Sequence, residues 1–240
     1  MTFLKIRYTP QNLADNSKFA EYTELSTNVS LIFLSLPPNL ISMLIKTATF
    51  LQSNTNVAKL PKADKPEYAF IGRSNVGKSS LINMLTGNSK LAKVSATPGK
   101  TITINHFIIN GQWYLVDLPG YGFAKRSQKE RDKWKEMLDA YILGRQNLVM
   151  TFVLVDSRIK PQKIDLDFIS NLGENQVPFA IVFTKCDKLG SGQLASNIAV
   201  YKQELLKEWE ELPTMITTSS EKGIGRDEVL DLIEKYNKSL

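Results

Sequence analysis

The stretch Gly72-Arg73-Ser74-Asn75-Val76-Gly77-Lys78-Ser79 decides the fold, because it fits the pattern G-x-x-x-x-G-K-[ST]. The apolar run 68–71 precedes it, and the segment 80–85 after it has the apolar spacing of a helix. A loop that leaves a strand and enters a helix presents backbone N–H groups and a positive helix end to a polyphosphate. The alternative is an accidental match in a turn rich in glycine and serine, and this order of strand, loop and helix argues against it.

Every residue of the loop 72–79 is therefore predicted to contact a bound nucleotide. Lys78 would reach the β and γ oxygens of the phosphate chain, and the hydroxyl of Ser79 would bind Mg²⁺. The glycines matter because a β-carbon would hold the backbone away from the phosphate oxygens. We predict Mg²⁺ as a cofactor and a catalytic role for Lys78 through charge neutralisation.

A second motif, Asp117-Leu118-Pro119-Gly120, ends the apolar run 113–116. A carboxylate at a strand tip can hold Mg²⁺ through water, and the N–H of the glycine can meet a γ-phosphate. The motif predicts nucleotide contacts and a catalytic role for Gly120. Taken alone, D-x-x-G also describes an ordinary exit from a strand into a turn.

A third motif, Thr184-Lys185-Cys186-Asp187, ends the buried run 179–183. A carboxylate accepts hydrogen bonds from N1–H and N2–H₂ of guanine together, whereas adenine offers no such pair of donors. Asp187 therefore predicts guanine specificity, and Lys185 is expected along the base and the P-loop. A weaker signal follows the strand 214–218, where a backbone N–H is expected to contact guanine O6; the residues are Thr218, Ser219 and Ser220.

The turn-rich stretch 95–101 lies between the P-loop and the D-x-x-G motif. We predict that Thr101 completes the Mg²⁺ shell only when a γ-phosphate is present, so that this stretch orders with the nucleotide state. Thr101 is the third predicted catalytic residue, and Gly99 and Lys100 are also expected to contact the nucleotide. The alternative is a solvated loop in which Thr101 merely opens the next strand.

Together these motifs resemble the EngB (YihA) family of bacterial ribosome-biogenesis GTP-binding proteins. The resemblance covers about residues 43–240 and rests most on D-L-P-G-Y-G-F-A at 117–124, beside the other three motifs. It implies a cytoplasmic GTPase that binds GTP and GDP and assists assembly of the large ribosomal subunit or its precursor. In the family, loss of the protein is linked to division and septation defects.

The hydrophobic pattern predicts a single α/β domain, with a mostly parallel sheet of six to seven strands, one antiparallel edge and helices on both faces. The hairpin signal Asn110-Gly111 supplies the antiparallel edge. Strands are expected over 44–51, 67–71, 102–109, 112–116, 148–155, 178–183 and 214–218. Helices are expected from the P-loop to 86, around 134–142, around 162–172, around 192–210 and over 226–237.

Residues 1–42 show no helical or strand periodicity. We expect an N-terminal extension there, poorly ordered or a mis-called start, before a G domain over 43–240; a real but poorly packed arm is the alternative. The apolar run 29–36 is too short to span a bilayer, so no membrane partner is expected. The single cysteine, Cys186, excludes an internal disulfide and fits a reducing compartment. We expect a monomer.

Tyr121 follows the D-x-x-G motif, where Ras-like switches have the glutamine that orients the attacking water. A phenol does not easily replace that glutamine, so we expect slow intrinsic turnover and a trigger from a partner or a monovalent cation. Asn75 occupies the position at which potassium-dependent relatives place a cation-binding asparagine, which makes K⁺ a candidate. The alternative, that Asn75 only satisfies backbone groups of the loop, stays open.

The net charge is +6, and basic residues cluster in the two segments expected to move with the nucleotide. Such a surface suits conditional binding of RNA phosphate, although charge runs are often only solvated faces. Two classes of function stay open for the protein: a hydrolysing GTPase that acts as an assembly factor, and a nucleotide-gated binding module with incidental hydrolysis. The basic residues are Lys90, Lys93 and Lys100 in the first segment, and Lys125, Arg126, Lys129, Arg131, Lys133 and Lys135 in the second.

Overall fold

The computed structural model describes residues 43–93, 103–122 and 127–240. Its strands are β1 (Ala48–Asn54), β2 (Glu67–Gly72), β3 (Ile104–Ile109), β4 (Trp113–Asp117), β5 (Leu148–Asp156), β6 (Phe179–Thr184) and β7 (Thr214–Thr217). Its α-helices are α1 (Lys78–Thr86), α2 (Gln128–Gly144), α3 (Lys163–Glu174), α4 (Ser191–Leu205) and α5 (Arg226–Asn237). Short 3₁₀ turns cover Val57–Lys59 and Cys186–Lys188.

Within these ranges the strands form one seven-stranded sheet in the order β1-β3-β4-β2-β5-β6-β7. The strands from β4 to β7 in that order run parallel, whereas β3 is antiparallel to both β1 and β4. The turn between β3 and β4 is Asn110-Gly111, with φ of 51° and 69°, as a tight hairpin requires. The predicted mostly parallel sheet with one antiparallel edge is confirmed.

The first strand is displaced from its predicted position, since β1 spans Ala48–Asn54 and the prediction was 44–51. The side chain of Asn110 explains the late start. Its Oδ1 accepts hydrogen bonds from the N–H groups of Lys46 and Thr47 at 2.8 and 3.0 Å, and its Nδ2 donates to Leu44 O at 2.8 Å. The side chain of Asn110 thus makes the hydrogen bonds to residues 44–47 that pairing with a neighbouring strand was expected to make.

The helix predicted around 192–210 ends earlier, at Leu205. Turns follow, and they bring Trp209 back so that its N–H donates to Leu205 O at 2.9 Å. The Trp209 ring packs edge-on against Phe179, with centroids 5.5 Å apart, and closes over Gly173, where a β-carbon would run into the indole. Burial of this indole therefore ends the helix, which the apolar spacing alone did not indicate.

Apolar side chains cover both faces of the sheet. Helices α1 and α5 pack on one face, and α2, α3 and α4 pack on the other. Buried residues of these helices include Leu81, Ile82, Val229 and Ile233 on the first face, and Leu138, Ile169, Leu172 and Tyr201 on the second. Because parallel strands end at one edge of a sheet, the loops after β2, β4, β6 and β7 converge there. None of the described helices is both long and apolar enough to cross a membrane.

Candidate nucleotide-binding site

The P-loop connects the last residue of β2, Gly72, to the first residue of α1, Lys78. Gly72 has no room for a side chain, because a β-carbon there would lie 2.7 Å from Leu154 O. Gly77 has φ of 105°, a left-handed conformation that favours glycine, and it precedes α1 without a side-chain cap. The first N–H groups of α1 therefore have no capping side chain and can bind an anion.

The P-loop lysine reaches the D-x-x-G carboxylate. Lys78 Nζ forms an ion pair with Asp117 Oδ1, and Asn105 Nδ2 of β3 donates to Asp117 Oδ2 at 3.2 Å. Burial lowers the pKa of Lys78 to about 7. The carboxylate at the tip of β4 and the lysine at the start of α1 thus share one small volume beside the P-loop.

The protein oxygens near this point suit Mg²⁺. Ser79 is in the first turn of α1 and Asp117 ends β4, so a hydroxyl and a carboxylate are available. The described part of the chain holds no group of three or more histidine, cysteine, aspartate or glutamate residues that could bind a metal. In nucleotide sites Mg²⁺ keeps several waters and uses one or two protein ligands plus phosphate oxygens, a number of ligands that Ser79 and Asp117 can supply.

The D-x-x-G segment lies directly against the P-loop. Leu118 N–H donates to Phe70 O at 3.0 Å, and Tyr121 N–H donates to Gly72 O at 3.3 Å, so the parallel pairing of β4 with β2 continues past the strand ends. A β-carbon on Gly120 would lie 2.6 Å from Gly72 O. Glycine is thus required at position 120 for the two segments to approach each other.

The T-K-C-D segment also contacts the P-loop. Thr184 Oγ1 donates to Val76 O at 2.6 Å. Lys185, with φ of 61°, donates through Nζ to Asn75 O at 2.7 Å and pairs with Asp156 Oδ2 at 2.9 Å. Asp156 at the end of β5 was missed from the sequence, although a carboxylate at the carboxyl end of a buried strand is itself a signal.

Asp187 is held by the loop after β7. Ser219 Oγ donates to Asp187 Oδ1 at 2.5 Å, and Lys188 Nζ lies 3.0 Å from Oδ2. The Ser219 hydrogen bond and then the one from Lys188 lower the pKa of Asp187, so the side chain is an ionised acceptor at neutral pH. The sequence did not predict this use of the Ser219 hydroxyl.

The same loop limits which backbone group can reach a base. Ser219 N–H donates to Ile224 O at 3.0 Å, and buried Thr218 donates its N–H to Phe183 O at 2.6 Å. Cys186 N–H donates to Thr218 O at 3.1 Å, which ties the two loops together. Of the three residues predicted after β7, Ser220 is the remaining candidate for a contact with guanine O6.

The structure brings together the P-loop residues Gly72 to Ser79, the segment Asp117 to Gly120, the segment Thr184 to Asp187, and Thr218 to Ser220. The predicted switch residues Gly99, Lys100 and Thr101 lie outside the described residues, as do Lys125 and Arg126. Their predicted roles stay predictions.

The fold and the site define a P-loop nucleotide-binding domain. A family model described as 50S ribosome-binding GTPase matches residues 67–185. The probable GTP-binding protein EngB of Bacteroides fragilis is 60% identical over 198 residues, which cover 82% of this chain and 98% of that protein. The corresponding protein of Porphyromonas gingivalis is 57% identical with the same coverage. The chain belongs to the EngB family of GTP-binding proteins, which are P-loop GTPases.

A crystal structure of a probable GTP-binding protein EngB superposes with a TM-score of 0.54. The identity is 26%, and the match covers 72% of this chain and all of that one. The neighbour therefore agrees in architecture with the seven-stranded sheet and its flanking helices.

Proposed function

We propose that the protein is a cytoplasmic molecular switch that hydrolyses GTP and assists assembly of the large ribosomal subunit, and that it thereby supports normal division and septation. One observation carries the nucleotide part: Lys185 and Thr184 of the guanine motif donate hydrogen bonds to the P-loop backbone, so the segments expected to bind base and phosphate are directly linked. The description of the matching family model supports the ribosomal partner. The protein acts as a monomer.

In this proposal the chain supplies positioning and charge rather than covalent chemistry. Lys78 neutralises phosphate charge, the N–H of Gly120 meets the γ-phosphate, and Ser79 and Thr101 hold Mg²⁺. The metal supplies charge neutralisation at the phosphates. Intrinsic turnover is expected to be slow, because Tyr121 is buried and stands where Ras-like switches have the glutamine that orients the attacking water. A K⁺ ion at Asn75 is one candidate trigger, and the ribosomal subunit is another.

The roles of the two metal-binding hydroxyls can be separated. Ser79→Ala is expected to weaken binding of Mg²⁺·GDP and Mg²⁺·GTP alike, roughly tenfold, the effect of losing one contact to a charged group. Thr101→Ala is expected to weaken only the GTP complex, because its contact requires the γ-phosphate. Titrations with fluorescent GDP and a non-hydrolysable GTP analogue measure both, and equal losses in the Thr101 variant would contradict the switch role.

Multiple-turnover GTP hydrolysis, measured with and without purified large subunits, tests the assembly-factor proposal. Stimulation by the subunit, together with co-sedimentation that differs between GTP-analogue, GDP and nucleotide-free states, is the expected result. Nucleotide-dependent binding without stimulated hydrolysis would favour the alternative, a nucleotide-gated binding module.

Helix α2 divides its basic residues into two rows. With 100° between successive residues, Lys129 and Lys133 lie on one flank of the helix, and Arg131 and Lys135 lie on the other. All four are exposed. The ridge between these rows is acidic, because it carries exposed Asp132 and Glu136 and the partly buried Asp139. An RNA partner therefore meets at most one basic row of α2 at a time.

The two rows supply a matched pair of variants for RNA binding. We expect one of the double reversals, Lys129→Glu with Lys133→Glu or Arg131→Glu with Lys135→Glu, to weaken large-subunit binding, while both leave nucleotide affinity unchanged. Each lost phosphate contact should flatten the slope of log affinity against log salt by about 0.7 to 0.9. If both double variants keep the parent affinity and slope, α2 does not contact RNA.

The domain is proposed to span 43–240. The relatives match over 198 residues, the length of this stretch, and cover nearly all of their own chains. Removal of residues 1–42 is therefore expected to leave GTP affinity and melting temperature nearly unchanged. A fall of the melting temperature by more than about 4 °C, which corresponds to about 1 to 2 kcal/mol in a domain of this size, would show that the segment packs on the domain.

A further inference from the structure

Tyr121, the residue after the D-x-x-G motif, is built into the core. Its side chain is only 3% exposed. The ring stacks on Phe168 of α3, with centroids 4.9 Å apart and an interplanar angle of 26°. On its backbone side, Tyr121 forms a parallel bridge with Arg73 of the P-loop. The residue therefore joins three parts of the molecule: the P-loop, the D-x-x-G segment and α3.

A buried carboxyl group lies beside the phenol. Asp165 of α3 is 4% exposed, and Arg73 Nη1 approaches its Oδ2 at 3.8 Å. Burial raises the pKa of Asp165, and the neighbouring Tyr121 phenol and Arg73 oppose the rise. Among the described residues the Tyr121 hydroxyl has no hydrogen-bond partner of normal geometry, so stacking and burial, more than this hydroxyl, hold the ring in place.

The packed Tyr121 ring, called the anchor below, holds in place Gly120, the residue that precedes it. Gly120 is held so close to the P-loop that a β-carbon would meet Gly72 O. On its other side, Pro119 O accepts a hydrogen bond from Trp134 Nε1 of α2 at 3.4 Å. Within the described residues no backbone carbonyl accepts from Gly120 N–H, whereas the N–H groups of Leu118 and Tyr121 are used. Among the described residues, the Gly120 N–H therefore has no backbone acceptor, which leaves it available to a ligand.

We propose that Tyr121 is a positioning residue that sets the affinity for GTP relative to the affinity for GDP. Its ring, packed on Phe168, holds Gly120 where the N–H meets a γ-phosphate, so that this contact forms without ordering the segment first. The inference rests on the proposed function, since it assigns the γ-phosphate contact to Gly120. GDP makes no such contact, and its affinity does not depend on the anchor.

This role differs from that of the glutamine in Ras-like switches. The Tyr121 phenol is buried on the face of the sheet that α2, α3 and α4 cover, stacked on Phe168. We therefore expect the phenol to make no contact with a water at the nucleotide. Loss of the hydroxyl and loss of the ring should therefore have different effects, which makes the proposal testable with two substitutions at one position.

The test is a titration of the full-length protein with fluorescent GDP and with a non-hydrolysable GTP analogue, both with Mg²⁺. Tyr121→Ala and Phe168→Ala are expected to weaken binding of the GTP analogue about tenfold more than binding of GDP, the typical size of such a coupling. Tyr121→Phe keeps the ring and should preserve the ratio of the two affinities to within about twofold, which is small beside the tenfold effect of the alanine variants.

The control is Ile233→Ala on α5, which creates a cavity on the opposite face of the sheet and should leave the ratio unchanged. Equal losses of GDP and GTP-analogue affinity in Tyr121→Ala and Phe168→Ala would overturn the proposal. A Tyr121→Phe variant that loses GTP-analogue affinity relative to GDP as strongly as Tyr121→Ala would also overturn it. If Tyr121→Ala does not fold, Phe168→Ala and Tyr121→Leu carry the test. A parent protein that binds no GTP would instead refute the proposed function.

Discussion

Replacing Asp187 by asparagine is expected to lower the affinity for GTP about 10³-fold, because two hydrogen bonds to a charged acceptor are lost and each contributes about 1.5 to 3 kcal/mol. The amide of Asp187→Asn cannot accept from both N1–H and N2–H₂ of guanine. It can donate to the 2-oxygen of xanthine, so the variant should bind xanthosine nucleotides better than the parent does. Competition titrations with GTP and XTP measure the change.

Ser219→Ala supplies the matched control for this prediction. In the parent protein Ser219 Oγ donates to Asp187 Oδ1 at 2.5 Å and so orients the carboxylate, but this hydroxyl is not expected to touch the base. Loss of the Ser219 hydroxyl should weaken GTP binding by about tenfold, the effect of one such hydrogen bond, and should not raise the affinity for XTP. Unchanged GTP affinity in Asp187→Asn would refute the assignment of the base site, whatever Ser219→Ala does.

The sequence predicted most of the fold because the relevant signals are local. The turn pair Asn110-Gly111 and the apolar runs before each motif specify strands and their order. The P-loop glycines are also locally readable, because a positive φ or a close backbone approach restricts the residue type. For that reason the sheet and the meeting of three motifs at one edge could be predicted.

The missed features depend on residues far apart in the chain. Asp156 supports Lys185 across 29 residues, and Ser219 supports Asp187 across 32 residues. Asn110 delays β1 through contacts more than 60 residues away. A single polar residue in a strand or loop carries no periodic signal, so only the three-dimensional arrangement shows which partner it has.

Another cluster of this kind surrounds Glu67, the first residue of β2, which is fully buried. Arg145 binds its carboxylate with two hydrogen bonds, at 2.6 and 3.0 Å, and the Tyr141 hydroxyl donates to it at 2.8 Å. His106 Nε2 lies 3.3 Å from Oε1. These contacts join β2, β3 and the end of α2 away from the nucleotide. A buried charge is tolerated only with such partners.

The cluster makes stability depend on pH in a defined direction. Burial by itself raises the pKa of Glu67, but the hydrogen bonds from His106, Arg145 and Tyr141 outweigh it and hold the pKa at about 2, below its ordinary value of 4.5. A lowered pKa means that the folded state favours the ionised form. The contribution of ionised Glu67 to the stability of the fold is therefore complete above pH 4.5 and is lost as the pH falls from 4.5 toward 2.

Glu67→Gln is expected to destabilise the protein by about 3 to 5 kcal/mol at pH 7, because it leaves the partly buried Arg145 guanidinium without its counter-charge. Asp167→Asn, which breaks an exposed ion pair with Lys163, is the matched control and should cost less than about 0.5 kcal/mol. Urea unfolding at pH 7 and at several values between 4.5 and 3 measures both free energies. The parent and Asp167→Asn should lose stability over that interval, whereas Glu67→Gln should lose less, because it has no carboxylate at position 67 left to protonate. Parallel pH curves for all three proteins would show that Glu67 is not the group that stabilises the fold against acid.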